Sequence, residues 1–349
     1  MENQEKTHKR RVRYKGTHPK NYKEKYKELN PDKYPETVAK VIRKGSTPVG
    51  MHISICVNEI IEFLQIEPGQ IGLDATLGYG GHTSAMLKCL ESKGHIYALD
   101  VDPIEIVKTK ERLAGLGYGP DILTIKQLNF ANIDQVAEEA GKFDFVLADL
   151  GVSSMQIDNP ERGFSFKTDG PLDLRLNPEK GMSVAELLRN VTQEELQGML
   201  IENSDEPYSE EISKAIISEI KKGNDISTTT KLRGIIEDVL NFIPEKERKE
   251  AIKKSCQRTF QALRIDVNSE FEVLYDFLDK LPNVMAKGGR IAILTFHSGE
   301  DRLVKKSFKQ LLREGVYSEI STEVIRPSAE ECAMNGRARS TKMRWAIKA

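Results

Sequence analysis

Residues that could bind a nucleotide lie together in one short stretch, from Leu73 to His82, and a carboxylate follows at Asp100. An apolar strand there runs into a glycine turn and the start of a helix. A Cβ at Gly78 or Gly80 would keep the backbone away from a ligand. Asp100 ends a second apolar strand, where it can accept hydrogen bonds from ribose hydroxyls. The pattern predicts the front half of a nucleotide-binding α/β unit, and a tight turn without a ligand is the alternative.

The charge pattern of this turn favours S-adenosylmethionine over a dinucleotide. A dinucleotide fingerprint has a third glycine at the position where Thr83 stands. Asp74 lies inside the first strand, where a negative charge does not help to bind a pyrophosphate. S-adenosylmethionine carries a sulfonium and an ammonium group, which tolerate that charge. A nicotinamide dinucleotide is the alternative cofactor.

Apolar periodicity predicts an α/β fold with a helical insertion. Strands and helices alternate up to Asp149, which is typical of a parallel sheet covered on both faces. Helical periodicity then takes over from about residue 182 to residue 256. Two capping-box patterns mark helix starts in this part, Ser183 with Glu186 and Thr192 with Glu195. We expect an all-helical domain inserted into the sheet domain.

The α/β pattern resumes after the insertion. One long amphipathic helix is predicted from Phe260 to Leu281, followed by Gly288-Gly289 and the strand 290–296. Two final strands, 317–325 and 342–348, are joined by a loop too short for a helical crossover. They should therefore pair antiparallel. An antiparallel last strand is what Rossmann-like methyltransferases have.

Polar residues follow two of the predicted strands. Asp149 ends the fourth strand and should point into the ligand cleft, where it can hold a cofactor, accept a proton or orient a substrate amine. The polar, glycine-rich segment 158–175 after it indicates a functional loop rather than a plain connector. His297 follows the strand 290–296, although a lone histidine is more often structural than catalytic.

Two groups of basic residues could contact nucleic acid. Arg258 and Arg264 share a polar helix stripe with Gln261 and Asn268, for which a solvated face is the alternative interpretation. Near the carboxyl end, a compact basic loop suited to phosphates is formed by Arg337, Arg339, Lys342 and Arg344.

Composition limits the classes of function. The 349 residues can form one large α/β domain and a smaller unit. No apolar run approaches the roughly 18 residues of a membrane span, and the charged first residues do not form a secretion signal. The four cysteines are scattered, which argues against a zinc site or any other metal and predicts a reducing, cytoplasmic environment.

The net charge of −1 conceals a basic amino-terminal arm. Residues 1–50 hold 14 of the 52 Lys and Arg residues but only 6 of the 53 Asp and Glu residues. Four tyrosines accompany these cations. The arm is suited to bind a polyanion through phosphate contacts and stacking, and a solvated tail without a partner is the alternative.

The ordered set of motifs resembles the 16S ribosomal RNA cytosine-N4 methyltransferases, the MraW type. The resemblance runs from about His52 to Ala349. Its motifs are the G-x-G-G-H turn of 78–82, followed by segments 149–154, 161–166, 169–173, 258–261, 267–270, 296–298 and 337–340. The arm of residues 1–50 is an extension beyond the family's short lead-in.

The resemblance implies S-adenosylmethionine as the methyl donor and a cytidine in the decoding region of the small ribosomal subunit as the acceptor. It implies cofactor contacts at Gly80, Gly81, His82, Asp100, Phe130, Asp149 and Gln156. We take Asp149 as the catalytic residue, and Arg258, Arg264, Arg337 and Arg339 as contacts to 16S ribosomal RNA.

The resemblance and the periodicity together predict how the chain is divided. The basic arm occupies 1–50, the Rossmann-like methyltransferase domain 51–160 and 257–349, and the inserted helical substrate-recognition domain 161–256. We expect no membrane partner, and the sequence leaves a homodimer open as an alternative to a monomer.

Overall fold

The structure is a computed structural model that describes residues 54–349. The predicted basic arm of residues 1–50 lies outside the described part of the chain.

Seven strands form one sheet in the order β3-β2-β1-β4-β5-β7-β6. The strands are β1 Ile71–Asp74, β2 His95–Asp100, β3 Leu123–Gln127, β4 Phe143–Asp149, β5 Met285–Thr295, β6 Tyr317–Ile320 and β7 Lys342–Lys348. Neighbouring strands from β3 to β5 are parallel, and β7 is antiparallel to both β5 and β6. The predicted α/β class and the antiparallel last strand are therefore confirmed.

Helices cover both faces of this sheet. They are α1 Val57–Leu64, α2 Gly81–Cys89, α3 Pro103–Gly115, α4 Ile133–Ala140, α11 Glu270–Val284 and α12 Ser298–Arg313. Successive residues of β4 alternate between two apolar cores, with Val146 in one core and Phe145 and Leu147 in the other. This alternation places both faces of the strand in the interior, so its end is rigidly held.

Helices follow one another between β4 and β5. Ahead of α11 they are α5 Ser154–Asp158, α6 Val184–Asn190, α7 Gln193–Ser204, α8 Ser209–Lys221, α9 Thr229–Val239 and α10 Glu245–Val267. A third apolar core joins residues from Leu172 to Leu263 in this part. Both predicted capping boxes are present, at the starts of α6 and α7. The predicted division at 256/257 falls inside α10, and the third core includes residues on both sides of it.

The single long helix predicted from Phe260 to Leu281 is wrong. The chain forms α10 and α11 instead, and Ser269 between them has a left-handed φ of 48°. Asn268 binds an adjacent loop with its amide, accepting from Leu176 N (2.7 Å) and donating to Leu174 O (2.8 Å). The strand predicted as 317–325 ends earlier, at Ile320, and its connection to β7 contains the short helix α13 Ala329–Met334.

Candidate active site

A cavity of about 580 Å³ lies where the parallel strands β1–β5 end. The loop after β4 and the facing sides of α10 and α11 complete its wall. Nine of the eleven site residues predicted from the sequence line it, namely Gly80, Gly81, His82, Asp100, Phe130, Asp149, Gln156, Arg264 and Arg337. Arg258 and Arg339 lie outside the lining.

The glycine turn after β1 requires glycine because of its own backbone and packing. Gly78 and Gly80 have φ of 47° and 73°, a region that other residues rarely adopt. A Cβ at Gly80 would lie 3.0 Å from side-chain carbons of Thr109 and Leu113 on α3, and one at Gly81 would lie 2.0 Å from Ser54 Oγ. The turn is thus fixed in shape before any ligand arrives.

Asp74 does not face the cavity, contrary to the reasoning that linked its charge to a cationic ligand. Its side chain is 1% exposed, and its carboxylate accepts hydrogen bonds from Thr83 Oγ1 (2.6 Å) and Thr76 N (3.1 Å). Burial raises its pKa. Thr83 therefore occupies the third-glycine position because its hydroxyl joins α2 to the end of β1.

Asp100 is held by backbone donors at the end of β2. Its Oδ2 accepts from Gly78 N (2.8 Å), and its Oδ1 accepts from Asp102 N (2.9 Å). Burial raises the pKa of Asp100 to about 6. Each carboxylate oxygen keeps a second lone pair, so the group can still accept a hydrogen bond from a ligand hydroxyl.

Asp149 places a negative charge at the centre of the cavity wall. Its backbone N donates to Thr76 Oγ1 (2.6 Å), which ties β4 to the turn after β1. Its Oδ2 lies 3.6 Å from His82 Nδ1, and its Oδ1 is buried without a hydrogen-bond partner among the described residues. Burial, with smaller contributions from Asp74 and Glu300, raises its pKa to about 6 against the opposing effect of His82.

Sequence reasoning missed a buried network centred on Asp102. The fully buried Asp102 accepts at Oδ2 from Arg162 Nη1 (2.6 Å) and from Gln156 Nε2 (2.8 Å). Arg162 also donates through Nη2 to the carbonyl oxygens of Arg175 (3.0 Å) and Leu176 (2.9 Å). The Asp-Pro pair at 102–103 signals the start of α3, but nothing local indicates the partner sixty residues away.

Phe130 follows β3 and contributes an apolar wall. Its ring meets Phe277 edge-on, with the ring centroids 5.1 Å apart. One side of the ring is thus held in the core while Phe130 also lines the cavity.

The predicted basic loop is largely neutralised by acidic partners. Arg337 pairs with Asp158 (Nη2–Oδ1, 2.6 Å), while Lys342 and Arg344 belong to β7 and both pair with Asp301 (3.0 and 2.7 Å). The structure therefore corrects the interpretation of all four residues as one phosphate-binding loop. Arg339 is exposed.

Arg264 also has an internal partner. Its guanidinium donates to both carboxylate oxygens of Glu270, at 2.7 and 2.8 Å. Lys167, which sequence reasoning did not select, is exposed and lies at the lining of the cavity. A single lysine in a polar loop carries no signal by which the sequence alone could single it out.

The sequence profile of the MraW methylase family matches residues 50–349. The chain belongs to this family. It is therefore a methyltransferase, and the match covers every strand of the sheet and every residue of the cavity.

Curated relatives extend the likeness to the whole chain. The chain is 80% identical to "Ribosomal RNA small subunit methyltransferase H 1" of Lachnoclostridium phytofermentans over 348 residues, covering 100% of this chain and 95% of that protein. It is 72% identical to "Ribosomal RNA small subunit methyltransferase H 2" of Alkaliphilus metalliredigens, covering 100% of both.

Among solved structures, an rRNA methylase from Streptococcus thermophilus is 12% identical with a TM-score of 0.37, covering 84% of this chain and 93% of that one. A score this low adds nothing to what the strand order already shows. Within residues 54–349, no helix combines the length and apolarity needed to cross a bilayer.

Proposed function

We propose that this protein transfers a methyl group from S-adenosylmethionine to the N4 amine of a cytidine in the decoding region of 16S ribosomal RNA. The observation that carries the proposal is the buried Oδ1 of the cavity residue Asp149, which has no hydrogen-bond partner within residues 54–349. An unpartnered buried acceptor is unfavourable, and an amine donor bound in the cavity would satisfy it.

The residues of the cavity fit S-adenosylmethionine, which supplies an electrophilic methyl group on a positively charged sulfur. Asp100 would hold the ribose hydroxyls, and Phe130 would lie against the adenine. Gly80, Gly81 and His82 would approach the cofactor closely from the fixed turn after β1. Asp149 would provide a negative charge near its cationic groups. The polar groups of Gln156 are engaged with Asp102 and Ser153, so Gln156 would contact the cofactor through its remaining surface.

The chain's own residues have to orient a weak nucleophile. The lone pair of cytosine N4 is delocalised into the ring, so placing it in line with the methyl group supplies most of the acceleration, about 7–11 kcal/mol for well-oriented groups. Asp149 would accept a hydrogen bond from an N4 hydrogen and so direct the lone pair. The base must be unstacked or flipped to reach the cavity.

We infer that the helical part, 161–256, and four arginines recognise the RNA. Arg258 and Arg339 lie outside the cavity lining but adjoin the lining residues Gln257 and Ser340 in the chain, and each would bind phosphates of an RNA strand that enters the cavity. Arg264 and Arg337 line the cavity, and each would bind phosphate with the N–H groups left free by its carboxylate partner. The relatives' names support ribosomal RNA as the substrate class.

Mass mapping of methylated cytidines tests this function. Ribosomal RNA from cells with and without the protein is digested and compared, and one decoding-region cytidine should lose its N4-methyl group in the deletion. The purified protein should restore the mark, and comparing free 16S RNA with assembled small subunits would identify which one it modifies. An unchanged methylation map would contradict the proposal.

Asp149→Ala tests the residue that carries the argument. We expect methylation to be abolished, and cofactor affinity must be measured in parallel because Asp149 is also a proposed cofactor contact. Near-normal turnover of the variant would remove Asp149 from this role. The wild-type rate should fall as the pH drops through about 6, where Asp149 becomes protonated and a weaker acceptor.

A further inference from the structure

We propose that His297 is a further catalytic residue, which takes up the proton that cytosine N4 loses during methyl transfer. This inference rests on the proposed function and concerns the same cavity. Methyl transfer leaves N4 positively charged with both of its hydrogens, and a base has to accept one of them as a proton.

One ring nitrogen of His297, Nδ1, is free to act as a base. Both ring nitrogens are buried; Nε2 lies 3.2 Å from Glu300 Oε1, whereas Nδ1 forms no hydrogen bond with a described residue. Buried imidazole nitrogens normally have partners, so an unpartnered Nδ1 on a residue of the cavity wall indicates a nitrogen available to a ligand.

The backbone places His297 and Asp149 at the ends of two neighbouring strands. Asp149 on β4 is in register with Leu294 on the neighbouring parallel strand β5, and His297 follows three residues later. Leu150 N donates to Leu294 O (3.1 Å), so the two strand ends are joined as far as the cavity. Both side chains line the same space.

Tight packing fixes the orientation of the imidazole ring. The Phe271 ring centroid lies 5.8 Å from that of His297. A Cβ at Gly299 would come within 3.1 Å of His297 Nδ1 and 2.6 Å of Phe271 Cζ. The turn therefore leaves the ring little freedom to move away from the cavity.

The carboxylate of Glu300 lies beside the imidazole ring. Glu300 Oε1 lies 3.2 Å from His297 Nε2, and its Oε2 is held by Phe296 N (2.9 Å). Burial alone would raise the pKa of Glu300, but His297, Phe296 N–H and Arg264 lower it below the usual value. A proton on His297 would therefore lie against the Glu300 carboxylate, 3.2 Å from Nε2.

Three carboxylates and one guanidinium group are the other charged groups near the ring. One carboxylate oxygen each of Glu270 and Glu300 and one ring nitrogen of His297 lie within 4.8 Å of one another. Arg264 neutralises Glu270 through two hydrogen bonds. Asp149 faces the cavity from the adjacent strand and completes the set of titratable groups around the proposed base.

The exocyclic amine has two hydrogens, which matches two acceptors. The N4 lone pair forms the bond to the methyl carbon, and the carbon–sulfur bond breaks with its electron pair staying on sulfur. The nitrogen is then positive. One N–H keeps its hydrogen bond to Asp149, while the electron pair of the other returns to nitrogen as its proton passes to His297. Water removes that proton after the product leaves.

Single-turnover methylation of small subunits purified from deletion cells tests the inference. His297→Ala and His297→Gln should each lower the rate by about 10²–10⁴-fold while cofactor and subunit binding stay near wild type. Added imidazoles should restore part of the rate to His297→Ala, and more basic imidazoles should restore more. A purely structural role would show no such dependence on basicity.

His95→Gln is the matched control. His95 is the first residue of β2, so it lies at the end of the parallel strands opposite the cavity. Its ring nitrogens already contact Asp121 O (3.2 Å) and Thr124 Oγ1 (2.8 Å). Its rate should equal that of the wild type.

Two results would overturn the inference alone, with an active wild type in each. They are a wild-type rate in His297→Gln, and a loss in His297→Ala that no imidazole restores. A wild-type protein that methylates no cytidine would overturn the proposed function and this inference with it.

Discussion

Removing the charge of Arg162 should destabilise the protein far more than removing an exposed arginine. Arg162 and Asp102 form a buried pair whose side chains are 6% and 0% exposed. Arg162→Met keeps the apolar stem but removes the ion pair and the hydrogen bonds to two loop carbonyls. Asp102 would then be a buried carboxylate without a cation.

The expected loss in the free energy of unfolding depends on how well the buried Asp102 is still hydrogen-bonded in Arg162→Met. Breaking one partner of a buried ion pair costs about 3–5 kcal/mol. Asp102 keeps the donors Gln156 Nε2 and Ile104 N, so we expect the lower end, about 3 kcal/mol. The double variant Arg162→Met/Asp102→Asn should recover part of this loss, because it no longer contains an unpaired charge.

Urea denaturation, followed by circular dichroism, measures the free energy of unfolding of each variant. Arg189→Met is the control, since Arg189 and Asp225 form a pair whose side chains are 51% and 48% exposed. Exposed pairs contribute less than about 1 kcal/mol. Equal shifts for Arg162→Met and Arg189→Met would refute the reasoning, as would a double variant less stable than both single ones.

Three further outcomes can be measured. Because burial raises the pKa of Asp149 from 3.8 to about 6, its ionised form destabilises the folded, cofactor-free protein at neutral pH. At neutral pH, Asp149→Asn should therefore raise the free energy of unfolding by about 1–3 kcal/mol, and this gain should vanish below about pH 4. A gain that does not change with pH would contradict the raised pKa of Asp149. Gly80→Ala should lower the free energy of unfolding by roughly 1 kcal/mol or more and weaken cofactor binding measured by calorimetry, because φ at this position is 73° and the added Cβ would contact α3. Gly115→Ala, where no described atom lies within 4 Å of the added Cβ, should change neither quantity. Deleting residues 1–50 should weaken RNA binding and flatten the slope of log affinity against log salt concentration by about 0.7 for each lost phosphate contact. An unchanged slope would show that the arm makes no phosphate contacts.

Local pattern was enough to predict much of the fold. Helix Ile133–Ala140 and strand Phe143–Asp149 have the predicted limits, and both capping boxes form. These features depend on side-chain period and on hydrogen bonds within four residues, which the sequence displays directly. The carboxyl ends of parallel strands meet at one edge, so Asp100 and Asp149 could be predicted to share a cavity.

The same local reasoning failed where a residue's role depends on distant parts of the chain. Asp74 and Asp149 both end apolar strands, yet Asp74 turns to Thr83 in the interior while Asp149 faces the cavity. The break at Ser269 depends on the loop at 174–176 that Asn268 binds.

The sequence by itself determined the order of the elements, the edge of the sheet where ligands bind and the family. Only the tertiary structure decided which charges are paired, as for Arg162 with Asp102, and which polar atoms have no partner among the described residues, as for Asp149 Oδ1. The reason is physical: periodicity and capping act over a few residues, whereas burial and pairing of a charge depend on which elements are neighbours in space.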